Sequence, residues 1–347
     1  MRGAAQATPG GRGRRPKPSV VADNQRVLQV LLVTFPFFAL VLCGYVAARR
    51  GLLPLQAIPG LNTFVLYFAL PAMLYRFGSG TPIAQLLDGA AMLVYFVCAL
   101  TMVGFVVAST MNRRIGWNDA AFGALVAAFP NTGFMGVPLL VALLGAQAAG
   151  PAIVTILVDL IVTSSLCIAL SRLDSADEHG AATAGRNALR GVLVNPMPWA
   201  ICLGALASWQ GWVLPKPVMQ TVGLLADAAS PVALFTIGAV LARSALLNAR
   251  SESQPMPLRD YLPVVVLKLV VHPLLVLLVG VSAQRTGLAL DPFALTVMVL
   301  VAALPSASNV SVLAERFGAD TGRIARIILI STALAFVSFS AAVSLLH

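Results

Sequence analysis

The sequence predicts an all-α polytopic membrane protein: ten transmembrane helices, arranged as two inverted five-helix repeats, with broken helices 4 and 9 crossing at the midplane. Three observations lead there. Hydrophobic residues make up 59% of the chain and charged residues only 10%, against about 25% charged in a soluble domain. Apolar runs long enough to cross a bilayer, roughly 20 helical residues, recur from end to end. Proline and small polar residues interrupt matching runs in the two halves.

The first five runs lie at about 28–48, 57–76, 83–109, 119–144 and 151–171, each near the length that a bilayer requires. The second five lie at about 192–209, 221–242, 261–283, 292–314 and 324–346, and meet the same requirement. The loops between them are short, so no soluble domain of useful size remains. Asp119 opens the fourth span, and Asp291-Pro292 reads as an N-cap with a first-turn proline for the ninth. Glu315-Arg316 ends the ninth. Trp117, Trp199, Trp209 and Trp212 fall near span ends, as interfacial anchors do. The organisation is a basic tail at 1–26, a first repeat at 27–171, a linker at 172–191 and a second repeat at 192–347.

Cys43, Cys98, Cys167 and Cys202 all fall inside spans, without zinc spacing or a Cys-x-x-Cys pair. They read as small buried hydrophobes, so neither a metal nor any other cofactor is expected. A net charge of +10 could suggest nucleic acid, but its distribution argues against that. Alternate loops divide unequally. One set carries Arg49, Arg50, Arg113, Arg114, Arg172, Arg186, Arg190, Arg243, Arg250, Arg259, Arg316, Arg323 and Arg326. The other carries only Arg76, Lys216 and Arg285. The positive-inside rule puts the richer set in the cytoplasm and both termini outside. The tail opposes this, with Arg2, Arg12, Arg14, Arg15, Lys17 and Arg26 on the outer side. Its Gly/Arg/Pro composition is that of a disordered segment, and it lacks the apolar core of a secretory signal. The expectation is that translation begins near Val20 or Val21.

Five spans per half is odd, so the second half is inverted relative to the first. Pro71 in the second span corresponds to Pro231 in the seventh, and the break at Pro130-Asn131 to the one at Pro305–Asn309. Paired interruptions of this kind mark the midplane site of inverted-repeat carriers.

The fourth span carries the chemistry. Pro130 and Pro138 lack an N–H, and Gly133 and Gly136 lack a Cβ, so the helix is interrupted. Irregular backbone in lipid is tolerated only where protein or a cavity surrounds it. The half-helix that restarts near Thr132–Gly136 turns free N–H groups, about +0.5 charge, toward the membrane centre. That is an anion site. The glycines admit a ligand to the backbone, Asn131 can bond a carboxylate or cap the half-helix, and Thr132 adds a hydroxyl. After Pro305 the ninth span offers Ser306, Ser308, Asn309 and Ser311. Two such ends meeting at an X suit a small anion, a dicarboxylate above all. The alternative reading is that Pro and Gly only kink packed helices.

Asp159, Asp227, Lys268 and His272 are ionisable groups inside spans, each a functional candidate by its insertion cost of about 2.5–3.5 kcal/mol. Lys268 and His272 share a helix face. Lys268 could bind the second carboxylate, pair with Asp227 or Asp159, or snorkel to an interface. His272 could carry a coupling proton or be a neutral ring hydrogen-bonded to a neighbouring helix. Asp159 and Asp227 stand between structural pairing and a proton or cation role.

The run Phe129-Pro130-Asn131-Thr132-Gly133-Phe134-Met135-Gly136-Val137-Pro138-Leu139-Leu140 resembles the fourth-helix motif of the auxin efflux carrier family. Phe37-Phe38-Ala39-Leu40, Gly44-Tyr45, Arg49-Arg50-Gly51-Leu52 and Lys268-Leu269-Val270-Val271-His272-Pro273-Leu274 are further matches. They resemble the bacterial malonate-carrier branch most. The resemblance spans roughly residues 27–346. It implies ten helices in two inverted repeats, an elevator-like transport domain moving against a scaffold, and an organic anion at the crossover of helices 4 and 9. It implies an inner-membrane location in a bacterium and admits a homodimer. Asn131 matches the family's asparagine after the crossover proline. The ninth span matches only in its proline and small polar residues. The family includes malonate, malate and auxin carriers.

The expected function is therefore secondary transport of a small organic anion, a dicarboxylate such as malonate or malate, coupled to a proton or to sodium. A sodium-coupled carrier of the bile-acid type and an efflux carrier for an auxin-like monocarboxylate are the alternatives. A channel would need a continuous polar face on several helices. An intramembrane enzyme would need a nucleophile with a base, and His272 is the only histidine inside a span.

Overall fold

The computed structural model describes residues 20–173, 186, 193–250 and 256–346. Residues 1–19 of the expected tail, 174–185 and 187–191 of the expected linker, and 192, 251–255 and 347 of the expected second repeat lie outside the described residues. Among the described residues, all regular structure is helical apart from one isolated β-bridge.

The helices, in order, are α1 (Val20–Arg49), α2 (Leu55–Gly80), α3 (Gly89–Thr110), α4 (Trp117–Ala128), α5 (Thr132–Leu144) and α6 (Ala146–Leu170). After the linker come α7 (Pro196–Gln210), α8 (Lys216–Arg250), α9 (Leu262–Arg285), α10 (Pro292–Ala302), α11 (Val310–Phe317) and α12 (Thr321–Leu346). Seven are long and apolar enough to cross a membrane: α1, α2, α3 with the short turn before it, α6, α8, α9 and α12. The expected fourth and ninth spans are each two helices, α4 with α5 and α10 with α11, because proline ends the first of each pair. The expected sixth span, α7, has 15 residues, short of the roughly 20 that a bilayer needs.

Side chains set several helix starts. The Asp88 carboxylate accepts from the N–H groups of Ala90 and Ala91 at the head of α3. Asp291 accepts from Phe293 at 3.1 Å, the N-cap that its pairing with Pro292 predicts. Asp119 lies in the first turn of α4, as expected, and also accepts from the Asp320 N–H at the start of α12 at 2.8 Å.

Four helices widen into a π turn: Val65–Ala69 in α2, Thr132–Gly136 in α5, Asp159–Thr163 in α6 and Leu267–Val271 in α9. Three of these immediately precede Leu70-Pro71, Val137-Pro138 and His272-Pro273. A proline ring clashes with the carbonyl of residue i−4 and offers it no N–H. An i→i+5 turn ahead of the ring relieves both problems without ending the helix. The turn in α6 has no proline. There the Ser164 hydroxyl joins its own N–H on the Asp159 carbonyl, at 2.9 Å.

The helices pack as two groups. The helices α1, α2, α7 and α8 lie against one another, α1 on α8 and α2 on both α7 and α8. Around the breaks stand α3 to α6 and α9 to α12. Glycine makes the first group tight. A methyl group on Gly44 would collide with the Phe235 carbonyl, and one on Gly238 with the Val41 carbonyl. Across α2 and α7, a methyl on Gly204 would reach the Tyr75 carbonyl at 2.8 Å, and one on Gly78 the Ile201 carbonyl at 3.5 Å. One constant displacement along the sequence relates the two seams. It carries Gly44 to Gly204, Val41 to Ile201, Tyr75 to Phe235 and Gly78 to Gly238, and also Pro36 to Pro196 and Pro71 to Pro231.

In the second group, every residue of α4 from Ala120 to Ala128 is buried, as is most of α10. The two helices that lead into the breaks are thus enclosed by protein.

Candidate functional site

Helix α4 stops at Ala128, two residues before Pro130, and α10 at Ala302, three before Pro305. Each break frees backbone groups, and each supplies what the other lacks. The Asn131 N–H donates to the Pro305 carbonyl at 2.8 Å, and the Ala307 N–H donates to the Phe129 carbonyl at 3.0 Å. Pro130 and Ser306 thereby form an antiparallel bridge, a scrap of β-pairing within a helical protein. An unpaired backbone group in an apolar interior costs several kcal/mol, so the bridge lets both breaks exist. On either side, the Asn131 carbonyl accepts from Met135 and Gly136, and the Ser306 N–H reaches the Ser331 hydroxyl of α12 at 3.3 Å.

The side chains are less well satisfied. Asn131 Oδ1, Thr132 Oγ1, Ser306 Oγ and Asn309 Oδ1 are buried atoms with no hydrogen-bond partner. Buried polar atoms are nearly always partnered, so four without partners at one junction make it the candidate site. Asn131 precedes α5 and Asn309 precedes α11, yet neither side chain caps its helix. Ser308 is also buried. Gly133 has open space where a Cβ would stand, whereas Gly136 makes room for Leu304, 2.5 Å from an added methyl.

A cavity of about 500 Å³ reaches the junction at Phe129 and Asn309. Its walls come from both groups of helices. Leu66 and Tyr67 belong to the π turn of α2, Asn195 to Met197 to the start of α7, Leu160, Ser164, Ser165 and Ile168 to α6, and Val312, Leu313 and Arg316 to α11. Asn131, Thr132 and Ser306 do not line it. They lie within three residues of Phe129 and Asn309, which do. The polar lining of Tyr67, Ser164, Ser165 and Asn195 has no signature in the sequence, since lone polar residues in or beside apolar runs give no periodic signal. The sequence places Arg316 at the end of the ninth span and in the cytoplasmic set of cations, and the structure adds it to the cavity wall.

A second polar cluster sits between α3, α6, α9 and α10. The Tyr95 hydroxyl donates to Asp159 Oδ2 at 3.2 Å, and the Thr163 hydroxyl to Oδ1 at 3.0 Å. Lys268 Nζ donates to the Ala302 carbonyl at 2.9 Å and lies 3.2 Å from His272 Nδ1. With the ammonium donating, Nδ1 accepts and the ring hydrogen is on Nε2, which is buried and has no partner. Asp159, Lys268 and His272 are all fully buried. The ammonium of Lys268 holds the carbonyl end of α10, where a cation complements the helix dipole. Lys268 does not line the cavity.

Asp227 is elsewhere. It pairs with Arg76 at 2.6 Å, with side chains 70% and 32% exposed. The sequence places Arg76 in a loop and offers Lys268 as a partner for Asp227. The helix α2 instead continues to Gly80 and brings Arg76 alongside α8. A further charged contact also went unread: the buried Arg323 donates to the backbone carbonyls of Asp260 and Asp119, each at 2.7 Å, and ties the starts of α4, α9 and α12 together.

A sequence profile described as "Membrane transport protein" matches residues 30–343. A Rhizobium meliloti protein described as "Putative malonate transporter" is 30% identical over 87% of this chain and 91% of its own length. An uncharacterized transporter of Escherichia coli is 28% identical over 82% of this chain and 88% of its own length. "Auxin efflux carrier component 8" of Arabidopsis thaliana is 22% identical over 64% of this chain and 74% of its own length.

Proposed function

We propose that this chain, which belongs to the membrane transport protein family matched over residues 30–343, is a secondary carrier of small dicarboxylates such as malonate or malate. The observation that carries this reading is the bridged pair of breaks with its four unpartnered buried atoms on Asn131, Thr132, Ser306 and Asn309. Two hydroxyls can donate to a carboxylate. The asparagine amides can present N–H in either orientation, since amide O and N are interchangeable by a flip. Both restarting helices, α5 and α11, turn their positive ends toward the same junction. The relative described as a malonate transporter agrees in substrate class.

Transport then proceeds by alternating access. The glycine seams of α1, α2, α7 and α8 suit a fixed frame, and the cavity between that frame and α6 and α11 suits an elevator-like movement of the second group. The constant displacement relating the seams supports a duplicated, inverted architecture of ten spans. Asp159 and His272 are our candidates for coupling, being fully buried beside the carbonyl end of α10. The exposed, arginine-paired Asp227 suits that role less.

Uptake of labelled malonate and malate into proteoliposomes, under imposed proton or sodium gradients, tests the reading. Accumulation that follows one gradient is expected. Failure to move any dicarboxylate under either gradient overturns it.

A further inference from the structure

We infer that Arg316, at the mouth of the cavity, forms a second anion subsite that holds a carboxylate of a small dicarboxylate before it reaches the breaks. The inference rests on the carrier reading above.

The geometry comes from one helix. Asn309, Val312, Leu313 and Arg316 all line the cavity, at the spacing of a single helical face. Seven residues at the helical rise separate the first from the last by roughly 10 Å. The cavity thus runs along α11 from an unpartnered amide at the junction to a guanidinium at the far end. A diacid that enters past Arg316 meets the guanidinium before it meets the junction.

The surroundings of Arg316 favour an anion. Among the described residues, no carboxylate lies within ion-pair distance of it. Its guanidinium is 5.9 Å from the Phe317 ring, and Arg172 stands over the same ring at 5.2 Å, so a second cation is held near the end of α11. The walls beyond are mainly apolar, with Val312, Leu313, Ile168 and Leu66. A cleft lined by one sign of charge between low-dielectric walls concentrates counter-ions. On the other side of the junction, α5 contains no charged residue between Thr132 and Leu144. Charged side chains therefore flank the junction on the α11 side and not along α5.

The test uses the full chain purified in detergent, with binding of radiolabelled malonate measured at low and high salt. Wild-type affinity is expected to fall with salt. Arg316→Gln should weaken binding about fivefold at low salt, the scale of one solvent-accessible charge contact, and the two proteins should converge at high salt, where such contacts are screened. Arg316→Lys should retain most of the affinity. Equal affinity and equal salt dependence for wild type and Arg316→Gln would overturn the subsite and leave the carrier reading intact. A wild-type chain that binds no dicarboxylate at any salt concentration overturns both. The salt dependence of the wild type is a readout that needs no variant to fold.

Discussion

The backbone N–H of Asn131 donates to the carbonyl of Pro305 at 2.8 Å, joining two helix breaks that lie far apart in sequence. That bond fixes the Asn131 backbone and leaves its side-chain oxygen buried without a partner. The backbone of Asn131 is thus committed to the bridge while its side-chain oxygen is not.

Asn131→Ala removes the amide and keeps the bridge. Malonate binding should fall between tenfold and a hundredfold, the scale of a lost hydrogen bond of about 1.5–3 kcal/mol to a charged group. The size-exclusion profile should not change. Unaltered affinity in a folded variant removes Asn131 from the site.

Gly44→Ala and Gly238→Ala should each lower the melting temperature in detergent, because each methyl meets a backbone carbonyl across α1 and α8. Overpacking of this kind costs about 1–3 kcal/mol. Gly104→Ala is the contrast: nothing lies within 4 Å of its added methyl, and it should gain about 0.5–1 kcal/mol of helix stability. Equal melting temperatures for all three would show that the seam is not tight.

Lys268→Met leaves the Ala302 carbonyl without its donor and removes the one cation from the buried polar cluster of Tyr95, Asp159 and His272 among the described residues. Removing one member of a buried charged cluster costs about 3–5 kcal/mol. Adding Asp159→Asn to this variant should restore part of the loss, a coupling of about 0.5–3 kcal/mol. Strictly additive melting shifts would separate the two residues energetically.

Asp227→Asn should shift stability by less than about 1 kcal/mol, since its pair with Arg76 is solvent-exposed, and should leave gradient-driven uptake unchanged. Asp159→Asn should abolish the response to the gradient while the protein remains folded. A full gradient response in the Asp159 variant would exclude it from coupling.

The break at Pro130 was legible because two prolines and two glycines concentrate there, the one at Pro305 because it matches the first in the second half, and their polar neighbours brought the candidate site with them. The π turns ahead of Pro71, Pro138 and Pro273 follow from the same proline chemistry, whereas the one at Asp159 has no local sequence signal. The shared displacement of Pro36, Gly44, Pro71 and Gly78 relative to the second half is written in the sequence, but it becomes conspicuous only once the glycines are seen in contact. What could not be read is long-range partnership: Arg76 with Asp227, Tyr95 with Asp159, and Arg323 with two backbone carbonyls. Residue type says that a buried charge needs a partner. It does not say which helix supplies it.

The bridge between Pro130 and Ser306 also sets an order on biosynthesis. When the first half of the chain leaves the ribosome, the Phe129 carbonyl and the Asn131 N–H have no mates, because both come from Pro305 and Ala307. The nascent first half must wait, with its break hydrated or shielded, until the last third of the protein has been translated. Early truncation should therefore yield a product that quality-control proteases clear, even though it holds several complete spans.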